Sequence, residues 1–293
     1  MTLTRPRPRS ESESAQREPS RVLAAADRSL SWLDTLGDQL VFYLRALAWV
    51  PRAVRRYPRE IGRLLSEVAF GSGGLALIGG TVIVMIGMTL ATGIVVGLQG
   101  YYALNQLGAA AFTGFISAYF NTREIAPLVA GLALSATVGA GFTAQLGSMR
   151  INEEVDALEG MGVPSLPYLV TTRIIAGVIA IMPLYAIGLV TSYFASREVT
   201  VLFNGQSAGT YDHYFSLFLS PVDVLWSFVK VLLFSTMVIL VHCYYGYRAK
   251  GGPAGVGVAV GRAVRTAIVV INVADFFMSL AIWGATTTVR IAG

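Results

Sequence analysis

From residue 75 onward, long apolar stretches alternate with short polar ones, and the alternation predicts a bundle of membrane-crossing helices. The clear stretches run about Leu75–Leu98, Ile125–Leu146, Tyr168–Phe194, Val222–Tyr247 and Ala267–Ala285. Each is close to the ~20 residues that a helix needs to cross a hydrocarbon core ~30 Å thick. A further stretch, Tyr101–Phe120 (YYALNQLGAAAFTGFISAYF), is long enough but carries Asn105, Gln106, Gly108 and Gly114. If it does not cross, an Arg-rich inner N-terminus leaves Arg150, Arg248, Lys250, Arg262 and Arg265 inside, with only Arg123, Arg197 and Arg290 outside. That distribution follows the positive-inside tendency, whereas a sixth crossing would move the Arg248–Arg265 loop outside. The pattern therefore predicts five spans, the N-terminus inside and the C-terminus outside, with Tyr101–Phe120 re-entrant or on the external surface.

Ahead of the spans the pattern is different. Residues 1–20, rich in Arg, Ser, Pro and Glu, have almost nothing to bury and are expected to be a disordered tail. Residues 21–66 form an amphipathic region. Leu30, Leu33, Leu40, Leu44 and Leu47 recur at helical spacing among Arg28, Asp34, Asp38 and Arg45; Arg52, Arg55, Arg56, Arg59 and Arg63 follow, interrupted by Pro58. Such a segment is too polar to span. It is suited to lie in the headgroup layer with its arginines on anionic lipid, or to form a helical hairpin on a partner. Residues 67–293 then make up the membrane domain.

Between the second and third spans lies the one dense acidic cluster beyond the N-terminal region, MRINEEVDALEGMG. Read as a helix, Ile151, Val155 and Leu158 share an apolar face, and Glu153, Asp156 and Glu159 lie on the other side. Gly160, Gly162 and Pro164 end it. One reading is a solvated loop helix; the other is a short helix resting on the membrane domain and presenting carboxylates to a basic soluble partner.

Composition narrows the class. The 293 residues are 54% hydrophobic and 13% charged, and no Asp, Glu, Lys or Arg occurs from Val68 to Thr122. The net charge of +5 resides in residues 1–65, which hold 12 of the 22 basic and 7 of the 17 acidic residues. A basic N-terminus beside apolar spans points to an anionic membrane surface, not to nucleic acid. Inside the spans Lys230 and Asp275 stand out; each falls near the middle of its stretch, where an ionisable group is expensive unless paired. They are candidates for an intramembrane charge pair, either a staple between helices or a contact for cargo. Arg173, near a span boundary, is expected to snorkel. With a single cysteine, Cys243, and two unclustered histidines, no disulfide or metal site is expected. Neither lysine lies in a G-x-x-x-x-G-K-[ST] phosphate loop, so no nucleotide site is expected either. GVGVAVG, from Gly255, reads as a loop.

EIAPLVAGLALSATVGAGFTAQLGSMRINEEVDALEGMGVPSLPYLVTTRIIAG resembles the signature region of the MlaE/YrbE permeases of lipid-transporting ABC systems. GLQGY at Gly97 is similar to the family's motif after its first span. GQSAGTYDHYF and HCYYGYRAKGGPAGVGVAVGRAVR resemble the B-type YrbE permease of actinobacterial Mce systems. The resemblance implies an all-α integral membrane protein, in which the acidic segment is a cytoplasmic coupling helix that touches a separate ABC ATPase through Glu153, Glu154, Asp156 and Glu159. It also implies ATP and Mg in that ATPase and none in this chain, a bacterial inner membrane with the C-terminus periplasmic, and a lipid as cargo. The expected partners are a paralogous A-type YrbE permease and Mce proteins on the outer side. Thr137 and Gln145 replace an Arg and a Glu of many relatives; their joint absence favours a heterodimer. A homodimeric Mla-type phospholipid permease is the near alternative, and a nucleotide-independent transporter or scaffold the distant one.

Overall fold

The computed structural model describes residues 21–70 and 80–284. The expected tail, residues 1–20, and the expected start of the first span lie outside the described residues. All regular structure among the described residues is helical, as the apolar pattern predicts. The chain divides into two units, Met1–Leu44 and Arg45–Gly293.

Helix α1, Arg21–Ala48, carries an exposed stripe of Leu40, Leu44 and Leu47, positions i, i+4 and i+7. Two shorter helices follow, α2 (Val50–Arg56) and α3 (Pro58–Phe70), each opened by a proline in its first turn, where the missing N–H costs nothing.

Five helices are long and apolar enough to cross a membrane: α4 (Gly80–Gln106), α5 (Ala110–Ile151), α7 (Leu166–Phe203), α9 (Pro221–Tyr247) and α10 (Gly252–Trp283). Between them sit α6 (Glu154–Gly160) and α8 (Ala208–Phe218). The chain is a multi-pass, all-α membrane protein. One end of the bundle holds the α5–α6–α7 and α9–α10 corners, and the opposite end holds the α4–α5 corner and α8.

Tyr101–Phe120 is not a separate re-entrant segment. Gly108, at φ +67°, turns the chain between α4 and α5, so Tyr101–Gln106 closes the first span and Ala110–Phe120 opens the second. Likewise the GVGVAVG loop is the start of α10, which begins at Gly252 and not at Ala267. The aromatics of α8 pack against its neighbours. Tyr211 is buried, Tyr214 packs on Phe112 at 4.4 Å and Phe218 on Phe115 at 4.7 Å. Burial pushes the Tyr211 hydroxyl up to about 12.

Small residues set the crossing of α4 and α7. A Cβ on Gly93 would sit 2.5 Å from the Ser192 carbonyl oxygen, and one on Gly97 2.7 Å from that of Ser196. The Ser196 hydroxyl donates to the Gly93 carbonyl at 2.7 Å, so α4 and α7 meet backbone to backbone. A second knot joins α5 to α9. His242, buried with Cys243, has Nε2 2.9 Å from the Ser135 hydroxyl and Nδ1 2.8 Å from that of Thr143, and its ring lies over Gly139.

Candidate functional site

At the acidic end, α5 stops at Ile151 and Glu153 adopts φ +60°, the left-handed region that side chains other than Gly rarely enter. That residue turns the chain so that α6 runs away from the axis of α5. Val155 is buried, while Glu153, Glu154, Asp156 and Glu159 are exposed. The four carboxylates are not equivalent. Arg150 reaches Asp156 at 2.6 Å. Ser165 donates to Glu159 and lies 2.7 Å from the Tyr247 hydroxyl, which itself donates to Glu159 at 3.4 Å. Glu159 thus ties the turn to the start of α7 and the end of α9. Among the described residues, Glu153 and Glu154 have no ion pair within the chain.

The arginines ahead of the spans gather on one elbow. Arg55, Arg56, Arg59 and Arg63 line a hollow of about 570 Å³ with Tyr57 and Tyr168. Arg63 is held by Glu60 at 2.6 Å and Glu67 at 3.2 Å, which raises its pKa further above the usual guanidinium value. Arg52 stands apart, stacked on Trp49 at 5.1 Å.

Towards the opposite end a charge network is buried in the bundle. Lys230, 0% exposed, has its ammonium 2.7 Å from Asp275 Oδ1, 3.3 Å from Glu124 Oε2 and 2.8 Å from Ser279 Oγ. It also donates to the Arg123 carbonyl at 2.7 Å. That carbonyl is available because Pro127, four residues on, has no N–H to offer it. An ammonium has three protons, so with donations to Arg123, Glu124 and Ser279 the Asp275 contact is a close ion contact. Arg123 in turn bonds Asp223 at 2.8 Å and lies over the Tyr119 ring at 4.1 Å; Trp283 Nε1 donates to Asp223 at 2.8 Å.

The span pattern predicts Arg123 in an outer connection and assigns no role to Glu124 or Asp223. The signal is two adjacent charges, Arg123 and Glu124, within one helical turn ahead of Pro127 and followed by an apolar run. Lys230 keeps its expected place near the middle of α9, whereas Asp275 sits in the last third of α10, towards the α8 end, because α10 starts at Gly252 and not at Ala267. Arg173 does not snorkel. It is 3% exposed and donates to the Leu169 carbonyl at 2.7 Å and to Gln145 Oε1 at 3.2 Å. Among the described residues no His, Cys, Asp or Glu cluster is arranged to hold a metal ion.

Five spans, a buried intramembrane charge network and an exposed acidic turn between spans two and three can be compared with known proteins. The sequence profile of the family described as Permease MlaE matches residues 73–281, which include the acidic turn and the charge network but not the arginine elbow. A probable ABC transporter permease of Rickettsia bellii is 28% identical over 253 residues, 86% of this chain and 93% of that protein. The intermembrane phospholipid transport system permease MlaE of Haemophilus influenzae is 26% identical over 271 residues, 87% of this chain and 99% of that protein. The chloroplastic TRIGALACTOSYLDIACYLGLYCEROL 1 of Arabidopsis thaliana is 28% identical over 202 residues, 66% of this chain and 57% of that protein. With the profile covering most of the chain and every crossing helix, this protein belongs to the MlaE permease family.

Proposed function

We propose that this chain is the permease subunit of an ATP-driven lipid transporter in the bacterial inner membrane, with its N-terminus cytoplasmic and its C-terminus periplasmic. The observation that carries the reading is the acidic turn: α6 is anchored by Val155 and by the Glu159–Ser165–Tyr247 links, and it leaves Glu153 and Glu154 facing out. A basic surface on a separate ABC ATPase is the complementary partner, and that ATPase holds the ATP and Mg. Because Ser165 opens α7 and Tyr247 closes α9, a displacement of α6 is felt by α5, α7 and α9 together. Such a displacement opens and closes an apolar cavity between two permease subunits, and an apolar cavity suits a lipid. Support for lipid cargo comes from the Haemophilus relative, named for phospholipid transport.

In our reading the second subunit is a paralogous A-type YrbE permease, since Thr137 and Gln145 stand where many relatives have an Arg and a Glu. Mce proteins meet the periplasmic face. The arginine elbow rests on anionic lipid of the cytoplasmic leaflet.

The test is affinity purification of the tagged chain from native membranes beside a Glu153→Lys/Glu154→Lys variant, with partners identified by mass spectrometry. Wild type should bring down a soluble ATPase and a second permease, and the variant should lose the ATPase alone. Recovery as a homodimer replaces the heterodimer with the Mla-type reading. An ATPase retained despite charge reversal removes the acidic dock.

A further inference from the structure

Three hollows lie side by side towards the acidic end and share wall residues. The arginine elbow shares Arg63 with a polar chamber of about 330 Å³ that also contains Glu67, Gln145 and Arg173. That chamber shares Glu67 and Gln145 with a cavity, also about 330 Å³, between α3, α4 and α5. The walls of the cavity are mainly apolar, formed by Val68, Val84, Val138 and Phe142.

Arg173 is the feature that needs an explanation. It is 3% exposed, yet among the described residues no carboxylate pairs with it. Its two amino groups are taken by Leu169 and Gln145, and its Nε is buried without a hydrogen-bond partner. Glu67, the carboxylate of the chamber, is already engaged by Arg63 at 3.2 Å and by the Gln145 amide. Gln145 thus has its amide group on Glu67 and its carbonyl on an amino group of Arg173, while that Nε stays without a partner. An unpaired buried cation costs several kcal/mol, which an incoming anion would offset. The guanidinium lies 5.4 Å from the Phe142 ring, at the wall shared with the cavity.

The anion must therefore have an apolar body. Ligand pockets range over about 300–1,000 Å³, so this cavity is at the small end and takes one chain, not two. Gly141 is part of its wall, and a Cβ there would meet nothing within 4 Å.

We propose that Arg173 and this cavity form a binding site for a long-chain carboxylate. The carboxylate lies on Arg173 with Arg63 as second cation, and the chain lies between Val84, Val138 and Phe142. The site is at the opposite end of the bundle from the Lys230 network and does not depend on the transport reading.

The experiment uses the full chain in nanodiscs of neutral phosphatidylcholine with a photoactivatable palmitic acid, and maps the labelled peptides by mass spectrometry. Label should concentrate on the segment from Val138 to Gln145 and on α3 and α4. Excess palmitate should compete, and hexadecanol, with the same chain and no charge, should not. Gly141→Leu, which fills the cavity from an unstrained position, should lower labelling about tenfold without lowering the melting temperature. Arg173→Leu should do the same, with labelling kept in Arg173→Lys. Equal competition by hexadecanol, stronger competition by a two-chain phosphatidic acid, label spread evenly over the outward-facing Val269 and Phe276, or undiminished labelling of Gly141→Leu would each overturn the proposal. If Arg173→Leu does not fold, the hexadecanol and Gly141→Leu arms decide it.

Discussion

Replacing Lys230 by Met should lower stability by about 3–5 kcal/mol, because Glu124 and Asp275 are left facing each other without a buried cation. Lys230→Met/Asp275→Asn, which also removes one of the two charges, should recover a large part of that loss. Thermal unfolding in detergent of the two variants beside wild type checks this; equal melting temperatures for all three would mean that the network is not a staple. Two glycines of α5 make a second contrast. A Cβ on Gly139 would fall 2.6 Å from the His242 ring, against open space at Gly141. Gly139→Ala should therefore destabilise by about 1–3 kcal/mol, while Gly141→Ala should be neutral or stabilise by about 0.4–1 kcal/mol. The same thermal measurement separates them. At this scale the sequence is informative where one charge interrupts an apolar run, as Lys230 and Asp275 do. It is silent where the partner is a backbone atom freed by a distant proline, as with Lys230 and the Arg123 carbonyl.

The acidic turn is an element whose face pattern was readable, since Val155 and the carboxylates follow helical spacing. What spacing does not carry is the inequality of those carboxylates, which depends on Arg150, Ser165 and Tyr247 arriving from three different helices. Tyr247→Phe removes the hydroxyl shared with Ser165 and Glu159, a loss of about 0.5–1.5 kcal/mol per hydrogen bond. Amide exchange in Glu154–Gly160 should quicken severalfold while exchange in α4 stays as it was; unchanged α6 exchange would show that the link does not hold the turn. Helix α5 starts at Ala110, well before the apolar run at Ile125, for a physical reason. Its early turns carry Asn121, Thr122, Arg123 and Glu124, which lower the local hydropathy. In the fold these polar groups are absorbed by partners: Asn121 donates to Ser117 and Ser196, and Thr122 lies 2.5 Å from the Tyr193 hydroxyl. The start of α10 was hidden similarly, because Gly252, Pro253, Gly255, Gly257 and Gly261 look like loop residues until a packed helix surrounds them.

For the molecule as a whole, the number of spans was legible because each needs a long apolar run, while their true ends were not. One helix, α7, separates Met161 from Phe203, and both are exposed, at 70% and 81%. Cysteines placed there should react with an impermeant maleimide from opposite sides of sealed vesicles. Cys243, at 0% exposure, leaves the native chain a silent background. Labelling of both from one side would refute the crossing. In the proposed orientation Met161→Cys is the cytoplasmic one. The 42-residue length of α5 has a mechanical consequence. Lys230 grips it at Arg123, leaving ~42 Å of helix towards Ile151 and ~20 Å towards Ala110, at ~1.5 Å per residue. If α5 tilts as one body across its π-helical stretches Ser117–Ile125 and Ser135–Gly139, it is a lever with unequal arms held at that point. Any tilt about the grip moves its two ends in opposite directions, and the α8 end travels about half as far as the acidic end. Under the proposed coupling, a broad stroke at the acidic turn would become a shorter, more forceful one across the bundle.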